Sequence, residues 1–496
     1  MTLANAMVLV DQTAVPLALP NIMGDFGIGS QLAQWVLTAS LLPVAGLLVL
    51  GGRLGDLLGR RRIFMIGCVL FAGGSALGGA APIFPLLLAC RCVQGVGGAL
   101  MLPNTIAIVS ATFSEDELGR ALGTMGGTAA VAAALGPTIG GALTSAFSWR
   151  AVLLVNVPLA VLAVACARSA VPPDPATSEP RHIDLTGAAL LTSTIVGLAF
   201  GLTQSQVWGW TSPAVLAAIV LSLAAAGSFV AVERRVQAPL MSFRTLRRHA
   251  NYLGATVSQF IAGIAEMGLA LLFPLLLILN LKMPPGLAGI ALIPTTVPMI
   301  VIAPLGGRWY DRAGGRPPLI AGFAILAISG IAMAVGIDQN SYLPLLPGLL
   351  LFGVGLALVL TVNDPVSVDT VPLHDQGQVS GVSGTAEQFG GALGISGLYL
   401  AFHTTYVARL NASIANSSLP KFTAEQGLRF KNALLAAEQT GLRPKAFGPT
   451  LERYLPLARS ASHTGYTVAM LVVSVLAAVG MLIVAWLVRK PAHADT

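Results

Sequence analysis

Three carboxylates, Asp11, Glu266 and Glu387, fall near the middle of long apolar stretches, and Asp364 falls nearer the end of another. Arg91 is the basic residue placed in the same way. An ionisable side chain at membrane depth is costly and usually faces a cavity or a partner. A carboxyl in a low dielectric can hold a proton and exchange it for an organic cation, so these acids form a candidate proton-coupling and substrate-binding set. A salt bridge or a buried hydrogen bond is the other reading for each of them, and a structural ion pair is the other reading for Arg91. Other chemistries lack their residues. No Gly-x-x-x-x-Gly-Lys-Ser/Thr loop offers a phosphate cradle, so direct use of ATP is not expected. The six histidines form no ligand cluster, and no His-Glu-x-x-His or Ser/His/Asp pattern suggests a hydrolase. No catalytic residue, metal or cofactor is expected, only a proton gradient.

The elements that must carry these groups are membrane helices. Apolar residues make up 55% of the 496, charged residues 10%, and mean hydropathy is +0.79, far from a soluble domain. The 55 glycines and 31 prolines fit this reading, because small residues let helices approach and neighbours re-satisfy a kinked backbone. Segments of span length occur at 3–22, 31–51, 63–80, 84–107, 120–145, 150–168, 184–204, 212–232, 251–279, 286–306, 318–337, 342–363, 377–403 and 464–488. That predicts fourteen helices with both termini on one side. Arg60, Arg61, Arg62, Arg234, Arg235, Arg247, Arg248, Arg312, Arg316 and Arg489 fall in loops of that side, whereas the short loops opposite hold Arg150 and Lys282. The positive-inside rule therefore places both termini in the cytoplasm of a bacterial inner membrane. The net charge of +7 then reflects orientation and not nucleic acid. All six tryptophans fall near predicted interfaces, as an aromatic belt requires. Cys68, Cys90, Cys92 and Cys166 lie inside apolar runs and read as packing residues. No cleavable leader is expected, since the chain enters an apolar stretch by Leu3 without a basic start.

A basic hairpin recurs. Gly52, Asp56, Gly59, Arg60 and Arg61 follow the second span, and Gly307, Asp311, Gly314 and Arg316 follow the tenth. Glycines allow tight turns, the Asp can cap or pair across the turn, and the arginines stay in water. A repeat at matching positions of two apolar halves is a transporter-like pattern. A six-plus-six arrangement would put the second hairpin after span eight, so 184–204 and 212–232 read as inserted helices. The expected organisation is a first six-helix half at 1–168, a linker with the inserted pair at 169–250, and a second half at 251–496 with a long outer loop at 404–463.

These motifs resemble the major facilitator superfamily, and within it the fourteen-helix drug:proton antiporter family. The hairpin at 52–62 is similar to Gly-x-x-x-Asp-x-x-Gly-Arg-Arg. Asp11-Gln12-Thr13 to Leu19-Pro20 resembles the family's first-helix motif, with Pro16 where Asn is usual. Arg91-Cys92-Val93-Gln94-Gly95 resembles the fourth-helix motif. Gly127, then Gly136-Pro137-Thr138-Ile139-Gly140-Gly141, resembles the fifth-helix antiporter motif, with Ala132 where a further Gly is usual. Trp149-Arg150 with Asn156 and Pro158 is similar to the start of the sixth helix. The resemblance implies an all-α polytopic bundle of two six-helix halves plus two inserted helices. It implies hairpins that latch conformational states and an Arg91 that influences proton transfer. It also implies export of small hydrophobic or cationic drugs by proton antiport, by a chain acting as a monomer in the lipid bilayer. A dedicated exporter of a lipid or natural product is the alternative the same residues allow.

Overall fold

The computed structural model describes the chain except for residues 113–114, 175–183, 237–238, 242, 338–340, 369–375, 418–453 and 490–496. Among the residues outside the description are also some helix side chains, including those at Asp56 and Gly127. Long apolar runs become helices because a helix alone satisfies every backbone polar group within one segment. In chain order these are α1 (Thr2–Phe26), α2 (Ser30–Leu58), α3 (Arg60–Gly79), α4 (Phe84–Thr112), α5 (Glu115–Ala146), α6 (Trp149–Leu154), α7 (Asn156–Ala170), α8 (Leu185–Trp208) and α9 (Pro213–Glu233). Then follow α10 (Phe243–Arg248), α11 (Ala250–Pro274), α12 (Pro285–Ala291), α13 (Ile293–Ala313), α14 (Arg316–Ile337), α15 (Leu346–Val368), α16 (Gln376–Ala415) and α17 (Leu455–Leu487). Among the described residues, twelve helices are long and apolar enough to cross a membrane. The 32-residue α5 and the 40-residue α16 are long as well, and both run through residues outside the description.

The two halves repeat one plan. In the first, α1 packs on α5 and α2 on α4. In the second, α11 packs on α16 and α13 on α15. The inserted hairpin of α8 and α9 lies against this core, and α8 touches both halves. Thr192 donates to the Gly46 carbonyl of α2 at 3.1 Å, and Thr203 bonds Ser396 of α16 at 2.7 Å.

Two sequence expectations change. The hairpin glycines are not all turn formers. Only Gly59 (φ 100) and Gly314 (φ 74) hold positive φ there. Gly51, Gly52 and Gly55 stay helical, because a side chain at Gly51 or Gly55 would strike the Ala99 backbone or Asn104 on α4. The sixth span breaks at Val155 into α6 and α7. Pro158 has no N–H to give the preceding turn. The stretch 404–463, whose mixed charge reads as a partly helical hairpin, does begin and end as helix, since α16 continues to Ala415 and α17 starts at Leu455. Hydropathy falls after His403, but no Gly or Pro interrupts residues 404–415. Tyr406 and Leu410, one turn apart, are buried and keep the helix packed.

Candidate transport site

The second half places a polar chain against the seam between halves. On α11, Gln259, Gly263 and Glu266 are spaced i, i+4, i+7 and so share one face. A side chain on Gly263 would collide with the Glu387 carbonyl, so the α11 and α16 backbones touch at this level. Gln259 Nε2 donates a short hydrogen bond to Glu387 Oε2. Asn363 Nδ2, on α15, donates to Gln259 Oε1 at 2.7 Å. Gln259 and Asn363 are 3% and 1% exposed. Glu266 is an electrostatic neighbour of Glu387, and its Oε2 is buried without a hydrogen-bond partner. Asp364 is exposed although it lies inside the span Leu343–Ser367, and it is Glu387's electrostatic neighbour on the α15 side. One residue along α16, Gln388 accepts from Gln12 Nε2 of α1 at 3.2 Å, which ties the two halves at this depth.

Asp11 is next to Gln12 in sequence, but the helical turn of 100° per residue points it into its own half. There it is 2% exposed. Its Oδ2 accepts from Arg91 at 2.7 Å, and its Oδ1 accepts from Gln94 at 2.8 Å and Asn156 at 3.1 Å. Arg91 is equally enclosed, donating also to the Val36 carbonyl, Ser40 and Gln94 at 2.6–2.8 Å. The sequence-predicted acids thus separate into two sites. Asp11 and Arg91 form a closed ion pair in the first half, and Glu266 joins Glu387 in the second.

Small residues set the spacing around both. Gly136 meets Thr13 and Gly140 meets Ala14, so α5 lies directly on α1 beside Asp11. Gly390 and Gly394 do the same for α16, against Phe260 and Ile264 of α11. Gly141 lies against the Pro285 carbonyl, and Pro137 against Gly289. Pro137 and Gly141 therefore belong to the α5–α12 seam between halves. That seam is pinned by the Gly286 N–H donating to Ser145 at 2.9 Å. At the same end of the bundle, Ser30 bonds Tyr399 and Gln31 bonds His403 between α2 and α16.

The first hairpin is held by the linker. Asp174 accepts from the Arg61 and Arg62 backbone N–H groups at 2.9 and 3.0 Å, capping α3, while the Arg61 guanidinium donates to the Arg168 carbonyl and Arg60 donates to that of Ala107. Arg316 donates to the Ala485 carbonyl at 2.6 Å, and Asp311 is exposed. The side chain of Asp56 and the position of Gly127 lie outside the described residues.

Two repeated halves, hydrogen-bonded seams at one end and buried acids in the second half are the arrangement of a facilitator-type transporter. Residues 1–395 match the description Major Facilitator Superfamily. The chain belongs to the major facilitator superfamily. It is therefore a multi-span membrane transporter and not an enzyme. Similar proteins include the puromycin resistance protein pur8 of Streptomyces alboniger, 34% identical over 81% of this chain and 82% of that protein. The multidrug resistance protein Stp of Mycobacterium tuberculosis is 31% identical over 79% and 72%. The tetracenomycin C resistance and export protein of Streptomyces glaucescens is 29% identical over 96% and 89%. Among solved structures, an inward-facing bacterial homolog of the human lysosomal transporter Spinster shares the fold, with a TM-score of 0.65 at 14% identity over 99% of this chain and 97% of that one. Facilitator transporters move small substrates between their halves; Glu266 and Glu387 lie in the second half, with Glu387 one residue along α16 from the Gln12–Gln388 bond that joins it to the first.

Sequence reasoning passed over Gln12, Gln259, Asn363 and Gln388. Uncharged amides in apolar runs are common and rarely single themselves out. One signal was available: Gln259 sits seven residues before Glu266, and Asn363 adjoins Asp364.

Proposed function

We propose that this chain is a fourteen-span exporter of the drug:proton antiporter type. It moves hydrophobic or cationic drugs out of a bacterial cytoplasm in exchange for protons. The twelve apolar helices, together with the length of α5 and α16, support a count of fourteen. The loop arginines support both termini in the cytoplasm. The observation that carries the reading is the Glu266–Glu387 pair at the seam, with one buried oxygen left open.

An organic cation entering between the halves meets acidic oxygens and displaces a proton, so the site holds the same charge before and after exchange. Alternating access then carries the cation one way and the proton the other, driven for this charge-neutral exchange by the pH gradient at ~1.4 kcal/mol per pH unit. In proteoliposomes, Glu387→Gln should cut pH-gradient-driven ethidium export about tenfold or more, equivalent to ~1.4 kcal/mol of lost driving interaction. Unchanged export by that variant at equal abundance refutes the assignment. The tetracenomycin C relative supports a second reading, a dedicated natural-product exporter on the same fold. Export of one polyketide-like compound and of no cationic dye, across a resistance panel in a pump-deficient host, selects it.

A further inference from the structure

The two acids of the pair differ in what surrounds them. Glu387 Oε2 receives the amide N–H of Gln259, and a carboxylate stabilised by a donated hydrogen bond is favoured in its charged form. Gln259 can present its N–H to Glu387 only while its carbonyl faces the other way. Asn363 fixes that choice by donating to Gln259 Oε1 at 2.7 Å. Turning Gln259 over would set its carbonyl against the Glu387 carboxylate and its N–H against the Asn363 donor, leaving that donor buried without a partner, which costs about 1–3 kcal/mol. Glu266 has no such support. Its Oε2 is buried with nothing donating to it, an oxygen better suited to carrying a proton than to carrying a charge.

We propose that the pair divides its labour. Glu387 is the carboxylate that binds the organic cation, Glu266 carries the exchanged proton, and Asn363 is a positioning residue that orients Gln259 toward Glu387. The assignment rests on the antiport reading above. The acids facing Glu387 are Glu266 on α11 and Asp364 on α15. From α1 comes only the amide of Gln12, by way of Gln388, because Asp11 is closed into the first half by Arg91. When a cation reaches Glu387, Glu266 releases its proton to water. One positive charge enters as one leaves, and no other bond changes.

The test uses the full-length purified protein, with ethidium as the probe cation. Ethidium binding is followed by fluorescence, proton release by a pH-sensitive dye in weak buffer, and KM and kcat in proteoliposomes. Glu387→Gln should lose ethidium binding. Glu266→Gln, which mimics the protonated acid, should bind ethidium about tenfold more weakly than the natural protein and release no proton. Asn363→Leu should raise the ethidium KM roughly tenfold, the worth of a hydrogen bond to a charged group, while kcat stays within about twofold and the acid limb of the binding pH profile moves. A merely structural Asn363 would lower yield and kcat together and leave that profile in place.

Loss of ethidium binding in Glu266→Gln, or proton release persisting in it, overturns the division. An Asn363→Leu protein with natural KM overturns the positioning role. Should that variant not fold, the comparison of the two glutamine variants decides alone. If the natural protein neither binds ethidium nor releases protons, the antiport reading and this one fall together. Proton release with the wrong residue dependence removes only this one.

Discussion

At Asp11 both carboxylate oxygens are occupied, Oδ2 by Arg91 and Oδ1 by Gln94 and Asn156. The side chain is almost wholly out of solvent, as is its partner. Removing one member of such a pair leaves a buried charge uncompensated, at about 3–5 kcal/mol. Asn at this position would also turn an amide donor toward groups that already donate. Asp11→Asn should therefore lower the melting temperature of the purified protein markedly, and Asp11→Asn with Arg91→Gln should recover part of the loss. Glu266→Gln should melt close to the natural protein, because its buried oxygen has no donor to lose. A normal melting curve for Asp11→Asn together with abolished proton coupling would show the carboxylate to be a proton carrier. The sequence placed Asp11 and Arg91 each at membrane depth, but it could not tell ion pairing from cavity lining. That distinction depends on which way one helix turn points, and the turn between Asp11 and Gln12 aims Asp11 at Arg91.

Helix pairs α1–α5 and α11–α16 are both set by glycines four residues apart, Gly136 and Gly140 in one half and Gly390 and Gly394 in the other. A Cβ on Gly140 would lie 2.7 Å from the Ala14 Cα, and one on Gly394 would lie 2.7 Å from the Ile264 Cα. Backbone cannot step aside as a flexible side chain can. Ala at either site should thus cost roughly 1–3 kcal/mol by overpacking and slow exchange. Gly397 on the same helix has nothing within 4 Å, so Gly397→Ala should be neutral or stabilising by up to ~1 kcal/mol from helix propensity. Thermal melts and export rates of the three alanine variants check this, and equal effects at 394 and 397 would refute the packing argument. The first glycine pair is legible in the sequence because Pro137 marks it. The second lies in Gly390-Gly391-Ala392-Leu393-Gly394-Ile395-Ser396-Gly397, where four glycines compete and spacing alone does not distinguish a contact face from filler. The length of α16 was hidden for a related reason: hydropathy reports where lipid ends, not where a helix ends.

On the scale of the whole molecule, both described inter-half seams near the α1–α2 turn are shut, α2 on α16 through Ser30–Tyr399 and Gln31–His403, and α5 on α12 through Ser145–Gly286. Fourteen spans with cytoplasmic termini would place this shut end outside. The orientation rests on arginines. Arg60, Arg61, Arg62, Arg234, Arg235, Arg247, Arg248, Arg312 and Arg316 all cluster at the end opposite the α1–α2 turn. Moving such a cluster through the bilayer is strongly disfavoured. Ser417 follows α16 and Arg489 follows α17, so one span separates them. A single cysteine at Ser417 should react with a membrane-impermeant maleimide in intact cells. A single cysteine at Arg489 should react only after the membrane is opened. Each should be made in a background lacking Cys68, Cys90, Cys92 and Cys166, the last two of which are exposed and would otherwise contribute signal. The same sidedness for both positions would remove either α17 as a span or the count of fourteen, and with it the inference that the shut seams face outward.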